Sequence, residues 1–186
     1  MTSVTQTLTI ENVVVCSGVD QEIDLERLHV DLPDSRYDRD RFPGLVYRPA
    51  DHEATSLIYR TGKLISTGAP SIEKGTTAME MTITELRDRG IAAPATPEVS
   101  VENIVLTGDL GHRLDLDIIA IDLGLVNVEY EPEQFPGLIY RLSEPELVAL
   151  LFGSGSVLIA GAKRLETAEE GIETLYSQLD ARGLLD

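Results

Sequence analysis

The chain has no tryptophan, three phenylalanines and a single cysteine in 186 residues. With so few Phe, any that stands outside a core carries information. Cys16 alone excludes an internal disulfide and a cysteine-based zinc site, and favours a reducing, cytoplasmic setting. The N-terminus lacks the basic-then-apolar pattern of a signal segment. The longest uncharged stretch, Leu147 to Ala162, is too short for a bilayer and is interrupted by Gly153-Ser154-Gly155-Ser156. It predicts two buried strands joined by a tight turn, with no membrane association. His29, His52 and His112 show no ligand spacing, so surface roles are expected for them, and no metal or cofactor.

Lysine is also scarce, at three of the fifteen basic residues. Against them stand 32 acidic residues, for a net charge of −17. Residues 1–92 hold 10 basic and 15 acidic side chains (−5), and residues 93–186 hold 5 and 17 (−12). In ordinary salt this field repels nucleic acid. In molar salt the Debye length falls to about 3 Å and the repulsion is screened. A dispersed acidic, lysine-poor surface on an ordinary core reads as a halophile's adaptation. The competing reading is a protein that binds basic partners.

What the chain does have is a repeat. Phe42-Pro43-Gly44-Leu45-Val46-Tyr47-Arg48 returns as Phe135-Pro136-Gly137-Leu138-Ile139-Tyr140-Arg141, 93 residues later (135 − 42). Tyr59 and Phe152 follow in step, then Gly62/Gly155, Gly68-Ala69 and Gly161-Ala162. Ile10-Glu11-Asn12-Val13-Val14 matches Val101-Glu102-Asn103-Ile104-Val105 at an offset of 91 (101 − 10), so a two-residue gap separates the matching blocks. The domains are expected at residues 1–92 and 93–186, joined by a linker at Ala92–Pro97. Two copies with one spacing imply a pseudo-two-fold molecule, suited to a nearly two-fold target such as duplex DNA.

Each half predicts the same order of elements. A strand (Thr5–Val15, Glu98–Thr107) precedes a short helix (Asp24–Val30, Asp115–Leu123). Strands follow near Ser35–Tyr37/Asn127–Tyr130, Gly44–Arg48/Gly137–Leu142, Thr55–Arg60/Glu146–Phe152 and Leu64–Gly68/Val157–Gly161. Thr61-Gly62 and Gly153-Ser154-Gly155 are hairpin turns in which Gly accepts positive φ. A longer helix closes each half (Ser71–Asp88, Leu165–Arg182), with Ser71 as N-cap and Gly90 and Gly183 as C′ glycines. The fold class is therefore α+β. Each half is an antiparallel sheet with helices on one face, and the two join as one long curved sheet, helices on its convex side and an open concave face.

Strand alternation turns Ile65 and Thr67, Leu158 and Ala160, Asn12 and Val14, and Asn103 and Val105 outward in pairs. Such a face is apolar and β-branched, carries two related amides, and lacks a basic stripe for following phosphates. It suits the minor groove at A·T steps, whose floor offers only acceptors and lacks the guanine amino group. Aromatic wedges pry open base steps and kink the duplex, and Phe42 with Tyr59, and Phe135 with Phe152, supply one pair per half.

On these elements, above all Tyr130-Glu131-Pro132-Glu133-Gln134-Phe135-Pro136-Gly137-Leu138-Ile139-Tyr140-Arg141, Leu150-Leu151-Phe152 with Ser154-Gly155, and Gly161-Ala162-Lys163, the whole chain resembles the TATA-box-binding protein family in its archaeal, halophilic form. The resemblance implies a saddle fold and a general transcription initiation factor that bends the TATA element and recruits transcription factor B and the RNA polymerase pre-initiation complex, associated with the nucleoid. It places intercalating pairs at Phe42/Tyr59 and Phe135/Phe152. Groove-floor contacts fall at Asn12, Val14, Ile65, Thr67, Asn103, Val105 and Leu158. Phosphate contacts fall at Arg41, Arg48, Lys63 and Arg141, and Glu131, Glu133 and Gln134 face transcription factor B. A homodimer of the free protein through the concave face is also open.

Departures from the family pattern are Tyr59 for Phe, Glu53 and Glu146 where basic phosphate contacts are common, Ser156 where the first half keeps Lys63, and Ala160 where it keeps Thr67. Two readings compete with DNA binding. An enzyme or small-molecule carrier needs convergent polar groups, and no repeated or paired cluster of that kind is present, so no catalytic residue is expected. A protein-interaction module built on the acidic surface leaves the recurrence of aromatic pairs unexplained.

Overall fold

The computed structural model describes residues 8–49, 52–124 and 126–185. The first run of elements is β1 (Thr9–Gly18), α1 (Leu25–Asp31), β2 (Ser35–Arg36), β3 (Gly44–Tyr47), β4 (Thr55–Tyr59), β5 (Lys63–Ala69) and α2 (Ile72–Asp88). The second repeats that order as β6 (Ser100–Asp109), α3 (Leu116–Leu123), β7 (Val128–Glu129), β8 (Gly137–Ser143), β9 (Glu146–Phe152), β10 (Ser156–Ala162) and α4 (Leu165–Ala181). Thr5, Gln6 and Thr7 of the first expected strand lie outside the described residues. Residues 12–102 form one compact unit, and residues 103–185 with 8–11 form the other. Strand order is β2-β3-β4-β5-β1 in one run and β6-β10-β9-β8-β7 in the other.

Elements start and stop where side chains satisfy backbone groups. Asp24 and Asp115 lie outside α1 and α3 and cap them, accepting from Arg27 N and Ile118 N. Both helices therefore begin one residue later than the sequence suggests. Ser71 caps α2 by accepting from Lys74 N. At the far ends, Ile91 N and Leu184 N reach back to the carbonyls of Leu86 and Leu179, and Gly90 and Gly183 take φ of +82° and +66°. These are paired Schellman ends. β1 and β6 run past their expected ends to Gly18 and Asp109 because β5 and β10 pair with them that far, at Gly18↔Lys63 and Ser156↔Asp109. Of the two glycines in the second hairpin turn, Gly155 takes positive φ (+99°), matching Gly62 (+88°), and Gly153 does not.

Each core lies between the helices and one side of its strands. Val13, Val15, Leu45, Ile58 and Leu64 meet Met79, Ile83 and Leu86 of α2, all at 0% exposure. Ile104, Leu138, Ala149, Leu151 and Ile159 meet Ile172, Leu175 and Leu179 of α4 in the same way. In α4, Gly171 lets the helix sit close to the sheet, since a Cβ there would lie 2.4 Å from Leu147 Cδ1.

The two cores differ in polarity. Ser56, Ser66 and Thr82 are buried in the first, and their counterparts 93 residues on are Ala149, Ile159 and Leu175. Ser56 and Thr82 share a 2.7 Å hydrogen bond, and Thr82 also donates to the Ala78 carbonyl. Ser66 Oγ has no partner among the described residues. A buried hydroxyl without a partner costs about 1–3 kcal/mol. Ser66→Ala is therefore expected to raise unfolding stability by about 1 kcal/mol, the lost atom's packing offsetting part of the gain. Urea unfolding in constant KCl checks this, and a variant less stable than the parent would show that the hydroxyl is satisfied.

Candidate nucleic-acid interface

The strand faces turned away from the helices carry the expected residues. In the first unit Asn12, Val14, Ile65 and Thr67 are half-buried, while Val13, Val15, Leu64 and Ser66 between them point into the core. Cys16 stands across from Ile65, and Ile65 from Leu57. In the second unit Asn103, Val105 and Leu158 are half-buried. Leu158 stands across from both Thr107 and Leu150. The faces thus extend beyond the residues singled out in the sequence, onto Cys16, Val46 and Leu57 in one unit and Thr107, Ile139 and Leu150 in the other. Their signal was available in the matched pairs Val46/Ile139 and Leu57/Leu150, hidden because the flanking residues are apolar too.

The asparagines are held in one orientation by the backbone. Gly68 N donates to Asn12 Oδ1 at 2.7 Å, and Gly161 N donates to Asn103 Oδ1 at 2.7 Å. Gly68 and Gly161 have φ of +93° and +106°, and the pairing register shifts beside each of them. A residue with a Cβ is strained at such φ, which explains the recurrent Gly-Ala. With the carbonyl oxygen occupied, each amide presents its NH₂ group, a donor, to the face. Asn12 Nδ2 also reaches Thr67 Oγ1 at 3.3 Å. Ala160 gives Asn103 no such neighbour, and among the described residues its nitrogen has no hydrogen-bond partner.

The aromatic residues meet as the spacing suggests. Ring centroids are 5.9 Å apart in both Phe42–Tyr59 and Phe135–Phe152, with interplanar angles of 60° and 71°. Each pair sits over the glycine of its Phe-Pro-Gly. A Cβ on Gly44 would lie 2.8 Å from Phe42 Cε1, and one on Gly137 would lie 2.7 Å from Phe135 Cε1 and 3.0 Å from Phe152 Cε1. Gly44 pairs with Tyr59, and Gly137 with Phe152, across the strands. Phe135 is 37% exposed, high for the side chain in a protein with three Phe. The turns before the two Phe are equivalent: Phe42 N bonds the Asp38 carbonyl at 2.9 Å, and Phe135 N bonds the Glu131 carbonyl at 3.0 Å.

The charged residues are less prepared. Arg41 Nε is 3.4 Å from Asp38, and Arg141 Nη2 is 2.8 Å from Glu129. Arg48 Nε donates to Thr55 Oγ1 at 3.0 Å, and Lys63 is exposed. Glu131, Glu133 and Gln134 are exposed, Glu131 and Gln134 being hydrogen-bonded to each other through their side chains. At the root of this turn the Tyr130 phenol is pushed above its ordinary value, by partial desolvation first and then by Asp117 and Asp115. Burial, then Glu85, does the same to Tyr47 in the first core. Among the described residues no group of three or more His, Cys, Asp or Glu could hold a metal ion, and no helix is long and apolar enough to cross a membrane.

Both repeats are α+β units whose strand face away from the helices carries apolar side chains, an amide fixed by the backbone and an aromatic pair, the features of a duplicated sheet protein. The model of the family "Transcription factor TFIID (or TATA-binding protein, TBP)" matches residues 7–88 and 98–181, and the chain belongs to that family of general transcription initiation factors. It is 50% identical to the TATA-box-binding protein of Haloarcula marismortui, over 97% of each chain. It is 49% identical to TATA-box-binding protein 2 of Haloferax volcanii, over 100% of each. A solved structure, Methanococcus jannaschii TBP, superposes with a TM-score of 0.83 at 42% identity, covering 94% of this chain and 99% of that one. The fold class is the two-repeat α+β fold of this family, as the motifs implied.

Proposed function

We propose that this chain binds a TATA element in the minor groove, bends it, and thereby nucleates a transcription initiation complex. The observation that carries the reading is the seating of an aromatic pair on a glycine in both repeats, beside a half-apolar face whose amide donors are fixed by the backbone. Asn12 and Asn103 donate to the acceptors of the A·T floor, and Val14, Ile65, Thr67, Val105 and Leu158 lie against it. A guanine amino group there meets donors and apolar atoms and is left unpaired. The pairs Phe42/Tyr59 and Phe135/Phe152 enter base steps at the two ends of the element and kink it. Arg41, Arg48, Lys63 and Arg141 contact phosphates. Glu131, Glu133 and Gln134 form a turn that receives transcription factor B, through which RNA polymerase is recruited. The protein works at the nucleoid, in the cytoplasm.

Fluorescence-detected bending of a short duplex with a central TATA-like element, in molar KCl, tests this against a G·C-substituted control. Strong bending of the first duplex alone is expected. Equal bending of both, or none with the protein folded, overturns the reading.

A further inference from the structure

The second repeat departs from the first at its short helix. Asp24 and Asp115 cap α1 and α3 in the same way and align the two helices at an offset of 91 (115 − 24). Arg27 then corresponds to Ile118, Val30 to Ile121 and Leu32 to Leu123. The next structural match is Asp34 with Asn127, whose carbonyls accept from Arg48 N and Arg141 N at 3.2 and 2.9 Å; its offset is 93 (127 − 34). The two extra residues of the second repeat therefore fall between Leu123 and Asn127, the segment that contains Val126.

Apolar side chains stand in solvent along this stretch: Ile118 and Val126 are new to the second repeat, whereas Ile121 matches Val30 of the first, itself 83% exposed. Ile118 is 54% exposed, Ile121 80% and Val126 94%. The core does not need them, because Leu116, Ile119 and Ala120 supply the buried side of α3. Ile118 and Ile121 are one turn apart and share a flank of the helix. In the first repeat the first of these positions is Arg27, ion-paired with Asp31 at 3.9 Å, so the fold is compatible with a charged residue there. Exposed Asp115 and Asp117 sit around the flank, and Asp122 binds Arg182 at 2.9 Å. The second half as a whole carries −12 in sequence.

We propose that the exposed flank of α3, with Val126, is a docking surface for a protein segment that presents apolar residues flanked by lysine or arginine. Both halves of that chemistry are complementary to what α3 shows: isoleucines at the centre and carboxylates at the rim. In molar salt the rim charges act over about 3 Å. The apolar centre then supplies the affinity, and the carboxylates select against an acidic partner at contact distance. This surface is not the strand face that carries Asn103, Val105 and Leu158. It adjoins the Glu131–Gln134 turn, since the Tyr130 phenol at that turn's root is raised by desolvation and then by Asp117 and Asp115, and it does not depend on DNA binding.

The test titrates ¹⁵N-labelled protein in KCl with a synthetic amphipathic helix bearing leucines on one face and arginines along its edges. Saturable shifts confined to α3 and Val126 are expected. Ile118→Arg combined with Ile121→Ser is expected to weaken binding about ten-fold or more, while bending of a TATA-containing duplex is unchanged and so reports an intact fold. A peptide with glutamates in place of the arginines is expected to bind more weakly, the difference widening as KCl is lowered. Shifts that map elsewhere, equal affinity of the double variant, or preference for the glutamate peptide overturn the proposal. So does concentration-dependent self-association that the double variant abolishes, since the occupant would then be a second copy of this chain.

Discussion

Replacing Phe135 and Phe152 together by alanine is expected to abolish bending of a TATA-containing duplex while leaving the protein folded. The two rings pack as one pair, with centroids 5.9 Å apart, and in the proposed function they act as one wedge. Unstacking a base step costs a few kcal/mol, which an inserted aromatic surface offsets and an alanine does not. Folding depends on the rings far less, since Phe135 is 37% exposed and neither ring belongs to the fully buried set around Leu138 and Leu151. The expected readout is loss of the bent-state signal and a fall in affinity of about a hundred-fold or more, equivalent to about 3 kcal/mol, with circular dichroism and the urea midpoint close to the parent's. Gly137→Ala is the graded companion. Its Cβ would stand 2.7 Å from Phe135 Cε1 and 3.0 Å from Phe152 Cε1, so both rings must turn aside. It should bend DNA more weakly than the parent and more strongly than the double alanine variant. Full bending by the double variant would remove the aromatic pair from the mechanism.

How far the sequence carried this picture depends on whether a feature is local or assembled. The aromatic pairs were legible because duplication preserved the 17-residue spacing from Phe42 to Tyr59 and from Phe135 to Phe152. The long helices were legible from apolar spacing and from terminal glycines, and both end as those glycines indicate. The seat beneath each wedge was not. Glycine after Phe-Pro reads as a turn residue, and only the pairing of Gly44 with Tyr59 and Gly137 with Phe152 gives it a second reason. The glycine clamp on each asparagine was hidden for a similar cause. Gly68 lies 56 residues from Asn12, and the contact requires a shift of strand register that no periodicity announces. Nor did the sequence reveal that Arg41 and Arg141 are engaged by Asp38 and Glu129, since side-chain pairing among many exposed acids is settled by three-dimensional geometry.

Those ion pairs bear on a second large effect: affinity for DNA is expected to rise with KCl, by about ten-fold or more between low and molar concentrations, where most DNA-binding proteins lose affinity. The usual loss comes from counterions released as each phosphate is neutralised, a slope of about −0.9 per phosphate on logarithmic axes. Here the release is offset site by site. When Arg41 or Arg141 leaves its carboxylate for a phosphate, DNA frees a cation, but Asp38 or Glu129 is left charged and takes one up. Glu53 and Glu146, at positions where the family resemblance places phosphate contacts, are exposed carboxylates; Glu53 has Lys74 Nζ at 3.8 Å, whereas Glu146 requires a cation from solution between itself and the DNA backbone. Lys63 and Arg48 remain as net releasers. The chain's charge of −17 adds long-range repulsion that molar salt screens. Uptake at the acids and screening of the whole molecule therefore outweigh release at two cations. Titrating binding across KCl concentrations, with circular dichroism confirming a folded protein at each, measures the slope directly. Glu146→Lys should lower it, because it turns a site of uptake into one of release. A steady fall in affinity for the folded parent would mean that release dominates and that Glu53 and Glu146 do not lie beside phosphates.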